Sequence, residues 1–207
     1  MKKIILLAVL AIAVNAMGAG MQITEWMYKG ANGEFVEFTN LGSTAIDLTG
    51  WSYTDSSRVA GHVSLSAFGT VAIGESVILT ETAIETFRTA WNLSSSVKII
   101  GGNLTDNLSR SDEINIYDSS NALVDRLTFD DATGKGPRTE NKSCSIPASD
   151  YGLTTASSTW VLSSVGDQYG SWKSSGNDIG TPGVVPEPAT MAIFGLGALI
   201  LGSRRKN

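Results

Sequence analysis

Between its two ends the chain offers no long helical pattern, no heptads and no strong internal repeat. It is instead a succession of short runs of alternating polarity, each closed by Gly, Asn, Asp or Ser. A period of two places successive side chains on opposite faces of an extended strand. Phe35-Val36-Glu37-Phe38, Val77-Ile78-Leu79-Thr80, Val97-Lys98-Ile99-Ile100, Ile114-Asn115-Ile116-Tyr117 and the longer run from Leu123 to Phe129 all read this way. Asp118-Ser119-Ser120-Asn121, between the last two, has turn chemistry, because Asp and Asn side chains bond to their own backbone. One stretch has helical spacing: Glu81 to Trp91, with Ile84, Phe87 and Trp91 on one face. Many short strands at short intervals predict an all-β chain folded as a β-sandwich. At 207 residues it suffices for one or at most two compact domains.

Within Glu34-Phe35-Val36-Glu37-Phe38, alternation cannot place all three apolar residues on one face. One face takes Phe35 with Glu37, and the other takes Glu34, Val36 and Phe38. Glu37 is therefore expected to be partly buried and to need a hydrogen-bonded or ionic partner. Trp26, Trp51 and Trp160 are expected as core anchors. Residues 130–183 are looser: 130–137 is a turn-rich loop, Ser and Thr dominate 154–164, and Trp160-Val161-Leu162 is a candidate late strand. Gly176 to Pro186 reads as a linker.

The ends are a different kind of sequence. Lys2 and Lys3 precede an apolar run, Ile4 to Val14, which exits through small residues. This is the pattern of a secretory signal peptide spanning residues 1–16, with Val14 and Ala16 framing the expected cleavage site and Ala19 as the alternative. The run is too short to span a bilayer as a helix. At the far end, Pro186-Glu187-Pro188 leads into an apolar segment, 189–202, and then Arg204-Arg205-Lys206. A basic cluster after an apolar stretch gives it a cytoplasmic side. Fourteen residues as a helix cover about 21 Å, so spanning requires bilayer thinning or snorkelling of the arginines.

The tripeptide, the apolar segment, the basic end and the leader, in that order, resemble the PEP-CTERM sorting signal of Gram-negative bacteria. The resemblance implies export through the inner membrane and transient anchoring of the tail there. It also implies removal of the tail near Pro186, Glu187 and Pro188 by an exosortase-type protease, with delivery to the cell surface or matrix, commonly beside exopolysaccharide. Removing residues 1–16 and 189–207 leaves 10 basic residues of 15 against 20 acids, a formal charge of about -10. So acidic a product argues against binding to nucleic acid.

A second resemblance covers about 21–183. Ile23-Thr24-Glu25-Trp26-Met27-Tyr28, Glu34 to Gly42, Ile46-Asp47-Leu48-Thr49-Gly50-Trp51, Gly74 to Leu79, Leu108 to Asp118 with Val124-Asp125, Trp160, and Thr181-Pro182-Gly183 are similar to a bacterial lamin tail domain. That family implies an immunoglobulin-like sandwich acting as a structural or interaction module. No attached enzyme domain is visible in this chain.

The densest acidic neighbourhood is Asp106, Asp112, Glu113, Asp118 and Asp125, weak candidates for calcium, which takes several oxygen ligands. Their spacing lacks the EF-hand pattern, so surface or turn roles are expected, with no required cofactor. His62 is the single histidine, and Ser64 and Ser66 beside it do not make a triad. The Gly-x-Ser-x-Gly, His-Glu-x-x-His and P-loop patterns are absent. The single cysteine, Cys144, is expected to be buried. Asn-x-Ser/Thr sequons start at Asn92, Asn103, Asn107 and Asn141.

The reading is a non-catalytic exported protein whose partners are other surface proteins or exopolysaccharide, handled during export by signal peptidase and the exosortase-type protease. The alternative is a carbohydrate-binding module. It would stack sugar rings on Tyr151, Trp160, Tyr169 and Trp172 exposed on one face.

Overall fold

The computed structural model describes residues 20–184. In chain order its elements are β1 (Met21–Met27), β2 (Phe35–Asn40), β3 (Ile46–Asp47), β4 (Ser52–Thr54), β5 (Val63–Ser64), β6 (Thr70–Val71) and β7 (Ser76–Thr80). Then come α1 (Ile84–Ala90), β8 (Lys98–Ile100), β9 (Ser111–Tyr117), β10 (Leu123–Asp130), β11 (Cys144–Ser145), β12 (Thr154–Thr155), β13 (Trp172–Lys173) and β14 (Ile179–Gly180). Two five-stranded sheets carry the fold, ordered β11-β1-β2-β7-β8 and β12-β10-β9-β4-β5, with the ribbons β3-β6 and β13-β14 beside them. The pairing is antiparallel except at β7–β8 and β10–β12. The chain is the expected all-β sandwich.

Strand β2 behaves as its alternation requires. Val36 and Phe38 point between the sheets and join Trp26, Tyr53, Leu79, Ile114, Leu127 and Phe129 in the main core. Phe35 points the other way, into a second core with Met27, Ile78, Phe87 and Trp91. Its ring meets Phe87 edge-on at 5.6 Å and Trp91 at 5.8 Å, arrangements that add to simple area burial. The first sheet is thus covered on both faces, by the second sheet on one side and by α1 with the C-terminal segment on the other. Every residue of β1 and of β2 is buried for this reason.

The helix is shorter than its spacing predicts, and its buried face is Phe87, Ala90 and Trp91, with Ile84 39% exposed. Residues 81–83 are held out of the helix by the β1–β2 loop: Glu81 accepts the Glu34 N–H (3.0 Å), and the Thr82 hydroxyl donates to the Asn32 carbonyl (2.8 Å). Trp26 is fully buried, as expected of a core anchor. Trp51 and Trp160 are not; both are half-buried, packed on the rim of the main core. Trp51 sits in the turn just before β4, where the sandwich ends, and Trp160 covers Trp26 edge-on at 5.9 Å. The expected strand at 160–162 reduces to a single bridge between Leu162 and Cys144.

Residues 132–184 are built onto the sandwich. β11 extends the first sheet beyond β1, β12 extends the second beyond β10, and β13–β14 lies against the outer face of the first sheet. The linker expected from Gly176 is therefore overturned as far as Gly183. Asp178 within it is fully buried and accepts the N–H groups of Ala31 and Asn32, each at 2.9 Å. Among the described residues no helix is long and apolar enough to cross a membrane; the segment 189–202 lies outside them.

Because Phe35 locks the second core, Phe35→Ala is expected to cost about 3–5 kcal/mol of unfolding free energy. Urea titration of the purified domain followed by tryptophan fluorescence checks this.

Candidate functional site

The five acids that crowd together in the sequence go to five separate tasks. Asp106, 2% exposed, holds both carboxylate oxygens on His62 Nδ1 at 2.6 and 2.7 Å. Asp112 accepts the N–H groups of Ser56, Glu113 and Ser109. Glu113 takes a two-pronged contact from the Arg58 guanidinium (2.7 and 2.5 Å). Asp118 closes its own turn through Ser120 and Ala122. Asp125 accepts the Ile23 N–H (2.9 Å), tying the second sheet to the first. Among the described residues no three His, Cys, Asp or Glu side chains converge as a metal site, so the calcium grouping does not assemble. Strand alternation and the turn at 118–121 send neighbours in sequence to different surroundings.

His62 is half-exposed, and the hydrogen bond and charge of Asp106 raise its pKa above the usual imidazole value. No serine completes a triad with it: Ser64 donates to Ser66. A shallow cleft of about 430 Å³ beside α1 is lined by Asn32, Glu85, Thr86, Thr89, Ala90 and Ser175. Its one carboxylate, Glu85, lies against Arg88.

The four aromatics of the sugar-stacking alternative are divided rather than gathered. Tyr151 and Trp160 pack on the main core and Trp172 on the second core, on opposite faces of the first sheet. Trp172 meets Trp91 edge-on at 6.0 Å and donates its indole N–H to the Trp91 carbonyl (3.1 Å). Tyr169 is half-buried in the loop organised by Asp167. Cys144 is fully buried, and burial pushes its thiol up to about 12. Of the sequon asparagines, Asn92, Asn107 and Asn141 are exposed and Asn103 is buried.

The most unusual chemistry lies on the outer face of the first sheet. Glu25 on β1 and Glu37 on β2 are register partners, each 1% exposed. Among the described residues neither forms an ion pair. Instead they are roofed by the end of the fold. Thr181 donates its N–H (2.8 Å) and hydroxyl (2.9 Å) to Glu25, and Gly183 donates its N–H to Glu37 (2.7 Å). Ser143 donates to Glu25, Thr24 donates to Glu37 (2.8 Å), and Thr24, Thr39 and Ser76 continue as a buried hydroxyl ladder. Loss of solvation dominates: it raises Glu25 above the usual carboxylate range, and together with the facing Glu25 it pushes Glu37 up to about 8. Glu34, on the sandwich side, accepts the Leu108 N–H (2.7 Å) and is pushed up to about 9 by burial. The sequence marked Glu37 as needing a partner. It gave no sign of Glu25, whose cover comes from Ser143 and Thr181, 118 and 156 positions away.

The signal-cleavage residues Val14 and Ala16 lie outside the described residues, as do Pro186, Glu187, Pro188, Arg204, Arg205 and Lys206. Comparison with known families speaks to both parts of the chain. An immunoglobulin-like sandwich with these strands matches the family model described as Lamin Tail Domain over residues 16–131, and the PEP-CTERM protein-sorting motif matches over residues 184–206. The chain belongs to the lamin tail domain family. No curated protein and no solved structure matches it. The family match covers β1 to β10 and ends at residue 131, short of the extent to 183 that the resemblance implied, so Ser143, Thr181 and Gly183, which roof Glu25 and Glu37, lie beyond the matched residues.

These carboxyls set a pH dependence. A carboxyl whose pKa rises on folding contributes stability that is complete below its unfolded value, about 4.5, and lost as pH climbs through the folded value. Glu25, Glu34 and Glu37 act in that direction, and His62 acts likewise above its ordinary value. Asp131 and Glu113, held below their ordinary values by Arg110 and Arg58, oppose acid. The melting temperature of the domain is expected to be highest near pH 5 and to fall steadily towards pH 9. In Glu37→Gln that fall is expected to be shallower, as read by calorimetry across the range.

Proposed function

We propose that the mature chain is a non-catalytic surface or matrix protein that works by contact with other surface proteins or exopolysaccharide. The sorting motif marks an exported protein of the Gram-negative envelope processed by an exosortase, and the lamin tail domain is a structural family. The observation that carries the reading is the fate of the polar side chains. The carboxylates that could do chemistry either hold backbone N–H groups or pair with arginine, and the single histidine has a buried aspartate as its partner and no nucleophile. A catalyst needs such groups aimed at a substrate. Here they are aimed at the fold.

Contact surfaces are available on the added C-terminal part, where Leu153, Val161 and Val165 are 70%, 75% and 60% exposed. Apolar side chains held out on a fold of acidic composition suit a protein partner better than a polyanion. The division of Tyr151, Trp160 and Trp172 between two cores weighs against a sugar-stacking platform.

Intact mass of the protein recovered from envelope and medium is expected to lack both ends, with cuts near Ala16 and near Pro186 to Pro188. A mass that retains 189–207 would overturn the sorting reading. Trp172→Ala is expected to lower stability by about 1–3 kcal/mol, through the lost edge-on contact and indole hydrogen bond, without a selective loss of polysaccharide binding. Saturable binding to host polysaccharide that disappears in a still-folded Trp172→Ala would restore the carbohydrate-module reading.

A further inference from the structure

The fold ends very close to the place where the chain is expected to be cut. Gly183 is hydrogen-bonded to Glu37, and Pro186 follows three residues later. Three extended residues reach at most about 11 Å, and the six from Gly183 to Ala189, where the apolar segment begins, about 21 Å. A folded unit of this size has a radius of gyration of about 15 Å, so its own bulk is comparable to the whole tether. On the sorting reading, the last anchored residue of the domain is therefore held within about 21 Å of the start of the apolar segment until the tail is cut.

The residues just ahead of the cut site are also occupied. A protease that reads an extended peptide uses that peptide's backbone N–H and C=O groups. Here the Thr181 and Gly183 N–H groups are given to Glu25 and Glu37, and Val184 N–H folds back to the Thr181 carbonyl (3.0 Å). Upstream, Ser143 N–H donates to the Ile179 carbonyl (2.8 Å), and Ile179 N–H donates to the Asn141 carbonyl (3.0 Å). The seat is close-fitting. A Cβ at Gly180 would lie 2.7 Å from Ser143 Oγ and 2.9 Å from Glu25 Oε1, and Gly183 adopts φ +81°.

We propose that residues 179–184 form a strap that must lift off the Glu25–Glu37 pair before the sorting motif can be cut, so that seating of the strap sets the rate of tail removal. The inference rests on the sorting reading above. Lifting five residues adds about 17 Å of tether and frees the backbone for the protease. It also lets water reach two facing carboxyls. The groups around the pair are all acidic: Asp167 and Cys144 by Glu25, and Tyr151 by Glu37. Burial holds Cys144 and Tyr151 neutral up to about 12, while Asp167 stays ionised, held low by Ser164, Ser171 and Tyr169. Lys142 and Lys173, the register partners of Ile179 on its two sides, are exposed to solvent, so rising pH loosens the strap.

The test is pulse–chase of the full-length chain in its host, following loss of the C-terminal tail. The Ser145 and Thr181 hydroxyls face each other at 3.5 Å, so cysteines at these two positions point at one another across the seat of the strap. A Ser145→Cys/Thr181→Cys chain, with Cys144→Ser to prevent mispairing, locks the strap. It is expected to keep its tail at least about tenfold longer than wild type and to regain cutting on addition of dithiothreitol. Thr181→Val, which deletes one donor to Glu25 without adding bulk, is expected to lose its tail about tenfold faster. A locked chain cut at the wild-type rate, or a Thr181→Val chain cut no faster, overturns the strap and leaves the sorting reading intact. A wild-type chain that never loses its tail overturns both.

Discussion

Everything in this structure follows from the first sheet being buried on both faces. Antiparallel sheets in sandwiches ordinarily show one face to water, and their strands alternate accordingly. Strands β1 and β2 do not have that freedom, because Phe35 and Met27 stand opposite Val36 and Trp26. A two-sided strand needs two covers. The second sheet supplies one. The other has to be assembled from α1 and from a segment that arrives at the very end of the chain, which makes the C-terminal addition part of the fold rather than an appendage to it.

That second cover is apolar at one end and polar at the other. Phe87, Trp91 and Trp172 close over Phe35, whereas Thr181 and Gly183 close over Glu25 and Glu37. Facing carboxyls in a dry site are expensive, and removing their hydrogen bonds leaves a cost of several kcal/mol uncompensated. The arrangement ties the addition to the sandwich with directional bonds that a slipped strand could not satisfy. A methyl at Gly180 would press on Ser143 Oγ and Glu25 Oε1, so the hydrogen bonds to Glu25 would have to shift. The same bonds make the last turn of the fold the part most sensitive to charge, which suits a segment leading directly into a sorting signal.

What could be read from the sequence followed from how local the cause was. The sandwich strands at 35–40, 76–80, 111–117 and 123–130 announce themselves by alternation, and Glu37 by apolar neighbours on both of its sides. The two-residue strands β11 to β14 do not, because two residues are too few to carry a period and the pairing partner alone makes them strands. Glu25 carries no such mark: a register shift between Ile23 and Glu25 breaks the alternation of β1, and its donors come from Ser143 and Thr181, far along the chain. Trp51 and Trp160 show the converse error: size predicts burial, but a place beside a turn or at a rim allows half of it. The acidic neighbourhood from 106 to 125 looked like a site because residues close in sequence seem close in function. The fold assigns each acid its own partner: His62 for Asp106, Arg58 for Glu113, and backbone N–H groups for Asp112, Asp118 and Asp125.

The charge balance completes the physical picture of an exported domain. Both ends expected to be removed are basic, and the ends carry no Asp or Glu beyond Glu187 at the cut site, so processing moves the chain from about -5 to about -10. On the proposed sorting reading, the arginines and lysine of the tail face the cytoplasmic leaflet while the acidic domain lies on the far side of the membrane. After processing, the ten basic residues that remain are outnumbered two to one by acids, so the net charge opposes contact with an anionic membrane surface. On the proposed sorting reading, tail removal takes away the basic residues and leaves the acidic domain, so release from the anchor and the rise in net negative charge come in one step.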